Sequence, residues 1–325
     1  MTRVYTVDGF ADLFETAEQL PDIEKRGQIY AFNDHTEESD LIHYRTPLIS
    51  ENENVVGDVS KGYYEISQFE DVIANLGHAA QEYDDMLDVT GNIMVTDGDH
   101  KLTSYIGFDG LTAEPIEGDE LELGIKTQAA HTGVHGIKYD IGAQRVVCSN
   151  GMVAFDSEKS YQQTHNDPLD YTLAKNAVDS IVHGVEEIEN RIARAHKRTF
   201  KDEHEAILAL RHLGVGDELD EPFPALEDAL QAEVTRGDQP TLWDAYNAAT
   251  RVYTHQEGLE ANQRDRGLER SARLLDDYGE VPEAQALGEA AVTQRAEALT
   301  DDEEEPEFDN EEEVVSGLLQ QYGEA

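Results

Sequence analysis

The sequence predicts an α+β protein, with an antiparallel, β-rich N-terminal part, a helical C-terminal part and a disordered acidic tail. Three observations carry that expectation. Up to about residue 165 the chain is dominated by short runs that alternate apolar and polar residues, the period of a half-buried strand. Beyond His165 the apolar residues recur at spacings of three and four, the period of an amphipathic helix. The run TDDEEEPEFDNEEE (300–313) is too acidic and too poor in apolar residues to support a core. The expected divisions are a β-rich domain over 1–165, a helical region over 166–299 and a tail over 300–325.

Taken in order, YEISQF (64–69) alternates and leads into an amphipathic helix, DVIANLGHAAQEYDDML. NIMVTDGDHKLTSYIGF (92–108) reads as two strands joined at Asp97-Gly98, a strong hairpin signal. LELGIKTQAAH and GIKYDIGAQRVVCSNG follow as strands that end at turn residues, with Asn150-Gly151 marking the last turn. The long helix after His165 is expected to start at Asp167 as N-cap, with Pro168 at its first position and Asp170 at its third. Ile181, Val185, Ile188, Ile192 and Ala195 then mark one buried face. Further helices are expected at HEAILALRHL, PALEDALQAEV, TLWDAYNAATRVYTH and ERSARLLDDY.

Charge sets the physical context. The chain of 325 residues carries 70 Asp plus Glu against 24 Lys plus Arg, a formal net charge of −46, and only nine of its basic residues are lysine. Self-repulsion on that scale opposes compaction in dilute salt. At 1 M salt the Debye length falls to about 3 Å and surface repulsion is screened. With 39 % hydrophobic residues the chain still has the material for a core, so the composition is read as that of a salt-accumulating halophile. One cysteine excludes an internal disulfide and any cysteine-only zinc motif. No run approaches the roughly 18 apolar residues of a membrane span, and acids enter too early for a signal peptide. The expectation is a cytoplasmic protein with no membrane contact and no cofactor.

Three stretches occur together in a recognisable order: KTQAAHTGVHGIKYDIGAQRVVCSNGMVAF, QQTHNDPL opening a long helix, and TLWDAYNAATRVYTHQEG followed by RGLERSARLL. From about Tyr63 to Leu275 the chain resembles the phage/plasmid-like family built on domain of unknown function 932, found in viruses, prophages and plasmids. His131, Arg145, Cys148, Asn150, His165, Trp243, Tyr246, Asn247 and His255 match by position. Where the family usually has His-Asp-Gly this chain reads His131-Thr132-Gly133, which removes the carboxylate that a metal-ligand or general-base role would use. Where the family has His-Thr it reads His165-Asn166. The resemblance implies a mobile-element setting and no particular activity.

Three readings of the chemistry follow. The first is an accessory protein, non-enzymatic, that binds DNA or a DNA-processing complex. Its candidates are Arg191, Arg194, Arg198 and Lys201, spaced as one helical stripe, and a second stripe of Arg266, Arg270 and Arg273. Phe200 or Trp243 would stack on bases. The bland alternative is a solvated face with acids four residues away, which leaves Arg194 unexplained. The second reading is a metal- or thiol-dependent enzyme using His131, Cys148 and His165, because zinc accepts imidazole and thiolate and histidine can activate a thiol. Against it, Cys148 lies 17 positions from either histidine, a spacing that matches no local metal motif, and in a strand it shares the face of Val146. A packed thiol is therefore expected, with the histidines making polar contacts where sheet meets helix. The third reading is a host-protein interaction factor, or a homo-oligomer, using the long helix and the Trp243–Tyr246 pair.

Overall fold

The computed structural model describes residues 2–33, 38–83, 86–114, 121–132, 136–145, 153–154, 160–234, 238–256, 258–259 and 261–279. Antiparallel sheets fill the N-terminal half and helices the C-terminal half, as the periodicities predict. The chain divides into two compact units, Met1–Glu189 and Asn190–Ala325. The change from strand to helix comes soon after residue 163, whereas the division into units falls later, inside the long helix. The expected tail, 300–325, lies outside the described residues.

A seven-stranded antiparallel sheet organises the first unit. Its strands are β1 (Arg3–Asp8), β7 (Asp88–Val95), β8 (Lys101–Ala113), β9 (Leu121–Ala130), β10 (Ile137–Arg145) and β11 (Val153–Ala154), in that order, with β12 (Ser160–Gln163) also paired to β10. The helices α1 (Phe10–Glu18) and α2 (Phe69–Gln81) pack on each other; α1 also meets β1 and β7, and α2 meets β9. Leu13, Val72, Ile73 and Leu76 are buried there with Val89, Ile93 and Ile125, and the Tyr139 hydroxyl reaches the Val72 carbonyl at 2.9 Å. The central strand β9 is buried at eight of its ten positions, Thr127 and Gln128 among them, and only Glu122 and Lys126 are half-exposed.

Smaller sheets complete the unit: β2 (Ile23–Lys25), β5 (Arg45–Ser50) and β6 (Val55–Ser60) form one, and β3 (Tyr30–Asn33) pairs with β4 (Glu38–Leu41). The hairpin expected at Asp97-Gly98 is present, joining β7 to β8 through a single tight turn in which Gly98 takes φ 78°. Its Asp99 is buried and receives Ser50 Oγ at 2.7 Å, Asn54 Nδ2 at 2.9 Å and Asn52 Nδ2 at 3.1 Å, and it pairs with Arg3. Burial alone would raise this carboxyl, but the three hydrogen bonds and the Arg3 charge prevail and hold it below its usual range. The β7–β8 turn thus clips that end of the large sheet to the β5–β6 turn.

The long helix α3 (Tyr171–Lys197) begins later than its sequence suggests. Gln163 explains the difference. Its amide nitrogen donates to the carbonyls of Asp167 and Pro168, and its oxygen accepts from the Asp170 amide, which holds 167–170 as a loop. Asp170 then accepts from Thr172 N at 2.9 Å and does the capping expected of Asp167. Ile181, Ile188, Ile192 and Ala195 are buried as expected, and Val185 is half-buried.

In the second unit α4 (Glu203–His212), α5 (Pro222–Glu233), α6 (Leu242–His255) and α7 (Ala261–Gly279) follow with short connections. Asp202 caps α4, and Thr241 with Asp244 forms a reciprocal capping box on α6. The α6 helix is the core of this unit, with Trp243, Tyr246, Ala249 and Tyr253 buried between α5 and α7.

Candidate functional site

Sheet register brings the two singled-out histidines together. Strands β9 and β12 flank β10, both antiparallel to it, so they run parallel to one another. Ile137, the first residue of β10, pairs with Ala129 on one side and with Gln163 on the other. The chain therefore leaves β9 and β12 at the same end of the sheet, and His131 and His165 follow directly. Their ring centroids lie 5.0 Å apart with the planes 36° from parallel. Gly136 sits between these exits, where an added Cβ would collide with the Gln163 carbonyl oxygen. Gly57 allows a similar approach, since its Cβ would stand 2.7 Å from the His131 carbonyl oxygen.

The segment between β6 and α2 closes over the pair. Glu65 donates its amide to the His165 carbonyl at 2.7 Å, and Lys25 donates its ammonium to the Tyr64 carbonyl. The Tyr64 ring stacks on His165 at 4.9 Å, and its hydroxyl meets Nδ1 of His131 at 2.8 Å. Phe69, the first residue of α2, packs its ring 5.1 Å from His131. Sequence reasoning placed the histidines at the seam of sheet and helix. It missed Tyr64, whose only signal is its position in the strand-like run before α2.

Both imidazoles are buried, His131 completely and His165 at 6 % exposure. Burial, with the second imidazole beside it, pushes His131 down to about 3. Burial also lowers His165, although its bond to the Ala130 carbonyl opposes the shift. Burial raises the Tyr64 hydroxyl, so at neutral pH the cluster is uncharged. His165 Nε2 lies 2.9 Å from the Ala130 carbonyl oxygen. A carbonyl only accepts, so that nitrogen carries the proton and Nδ1 is a bare lone pair. Neither His165 Nδ1 nor His131 Nε2 has a hydrogen-bond partner among the described residues. A buried nitrogen without a partner is costly, and here two of them belong to rings in contact.

The other sequence candidates are placed as follows. Arg145 closes β10, and Cys148 and Asn150 lie outside the described residues. Trp243, Tyr246 and Asn247 are buried on α6: the two rings stack at 5.2 Å, and Asn247 donates to the Trp243 carbonyl at 2.9 Å. They build the core of the second unit, while His255 is exposed at the end of that helix. The expected arginine stripe is interrupted. Helix α3 ends at Lys197, and Arg198 is 8 % exposed, its carbonyl accepting from the Leu242 amide. Arg191 is half-buried, whereas Arg194 and Lys201 are exposed. On α7, Arg266 and Arg273 are exposed, but Arg270 binds the Gly214 carbonyl and the carboxylates of Asp217 and Glu218. Phe200 and Trp243 are fully buried, so neither can stack on a base in this fold.

Among the described residues no group of three His, Cys, Asp or Glu side chains is placed to hold a metal ion, and no helix is long and apolar enough to cross a membrane. Neither a curated protein nor a solved structure matches the chain. A family model does match, over residues 57–275, which takes in the large sheet from β7 onward, the histidine pair, helix α3 and helix α7 as far as residue 275. The chain therefore belongs to the family described as Domain of unknown function (DUF932).

Proposed function

We propose that this is an accessory protein of a virus or plasmid of a salt-accumulating halophile, acting in the cytoplasm on DNA or on a DNA-processing complex without catalysing a reaction. The observation that carries the reading is a set of cations left free in a very acidic chain. With 70 acids against 24 bases, chance alone would give most basic side chains an acidic neighbour. Yet Arg194 on α3, and Arg266 and Arg273 on α7, are exposed and make no ion pair with a described residue. Arginine forks suit phosphate oxygens, and the geometry of their hydrogen bonds survives when screening has removed long-range attraction. Because Phe200 and Trp243 are buried, recognition rests on these forks rather than on stacking.

Fluorescence anisotropy with single- and double-stranded oligonucleotides, titrated across potassium chloride concentration, tests the reading. Reversing Arg194, Arg266 and Arg273 to Glu should abolish binding that persists at high salt in the unaltered chain. Equal binding by the reversed variant, or none by the unaltered chain, contradicts the proposal.

The meeting of His131 and His165 favours a second reading, an enzyme that also uses Cys148. The thiol lies outside the described residues, so the imidazole pair is the part that geometry supports.

A further inference from the structure

We propose that His131 and His165 form a site for one divalent transition-metal ion of the zinc class, bound through Nε2 of His131 and Nδ1 of His165. The inference rests on the imidazole half of the second reading above. It requires neither catalysis nor the thiol, and it is independent of DNA binding.

Two features of the cluster converge on it. First, the hydrogen bonds leave one unpartnered nitrogen on each ring. A ligating histidine ordinarily donates its other ring N–H to an oxygen, which fixes tautomer and ring plane. His165 does this with Nε2 to Ala130 at 2.9 Å, and His131 has the same opportunity with Nδ1 to the Tyr64 oxygen at 2.8 Å. The remaining nitrogen of each ring is the buried, unpartnered one.

Second, the spacing fits. With zinc–nitrogen bonds of about 2.0 Å, each ring centroid lies about 3.2 Å from the ion, and a tetrahedral angle separates two such centroids by about 5.2 Å. The observed separation is 5.0 Å.

Ligand type then selects the ion. Imidazole nitrogen suits zinc, copper, nickel and iron, whereas magnesium and calcium prefer oxygen. With no third protein ligand among the described residues, the remaining positions belong to water or to an atom of a bound molecule, an open coordination sphere. Tyr64, half-exposed and stacked on His165, is the side chain whose rotation would admit the ion.

The test is zinc titration of the full chain in concentrated potassium chloride, followed by the imidazole nitrogen resonances. In the metal-free protein His131 should carry its proton on Nδ1 and His165 on Nε2. One equivalent of zinc should then shift Nε2 of His131 and Nδ1 of His165 together. His131→Gln or His165→Gln should abolish uptake of that equivalent, and Tyr64→Phe should weaken it about 10- to 100-fold by freeing the His131 ring. The resonances read the unaltered protein, so the result holds even if a variant fails to fold. Rings unmoved by saturating zinc, or a proton on His131 Nε2 in the metal-free state, would overturn the proposal.

Discussion

Two neutral imidazoles buried side by side make the stability of the first unit depend on acidity. An unfolded histidine titrates near 6.5, whereas His131 in the fold titrates at about 3 and His165 is also depressed. Below 6.5 the unfolded chain therefore binds protons that the folded chain refuses. The stabilisation is complete above 6.5 and is lost as the pH falls, by up to about 1.4 kcal/mol per pH unit for each fully buried ring. Between pH 6.5 and 5 most carboxylates are still ionised, so the histidines dominate that interval. Thermal unfolding of the metal-free protein should show a falling Tm across it, and His131→Gln should flatten the slope by about half. Equal slopes in the two proteins would show that His131 is not buried neutral. The histidines could be named from the sequence because their residue type carries chemistry, but the depressed titration could not. It comes from Tyr64 and Phe69, which reach the pair across more than sixty residues of chain.

At the scale of elements, the site is a product of register. The hairpin at Asp97-Gly98 was legible because its turn chemistry is local, and so was the α6 start, where Thr241 and Asp244 cap each other. The meeting of His131 with His165 was not, because it depends on β12 returning to β10 beside β9. No spacing rule announces that return. The start of α3 was misplaced for a related reason: Gln163, in a strand, holds 167–170 out of the helix through three hydrogen bonds. The arginine stripe does not run along one helix, because α3 ends at Lys197, where the chain turns to pair Thr199 with Thr241. Gly136 is where register can be tested. Gly136→Ala drives a Cβ into the backbone of Gln163, a contact no rotamer relieves. Urea denaturation should show a loss of about 1–3 kcal/mol, together with a weakened Tyr64–His165 stack. An unchanged midpoint would mean that β12 is free to move away from β10.

At the scale of the whole molecule, charge governs what the surface can do. A net charge of −46 repels nucleic acid at long range and opposes compaction unless salt shortens the reach of the field. Counterion release gives little affinity in molar salt. Any contact with DNA must then be short-ranged and geometric, which is why exposed, unpaired arginines weigh more than net charge. The helical unit offers these on α3 and α7, while the imidazole pair belongs to the first unit. The two features make separate claims, and one measurement distinguishes them. Hydrogen exchange of the full chain should be followed in molar potassium chloride, with and without a saturating oligonucleotide. The account predicts slowed exchange at the end of α3 and along α7, with no change around Tyr64, His131 and His165. Protection confined to the first unit, or none anywhere once the oligonucleotide is in excess, would contradict it.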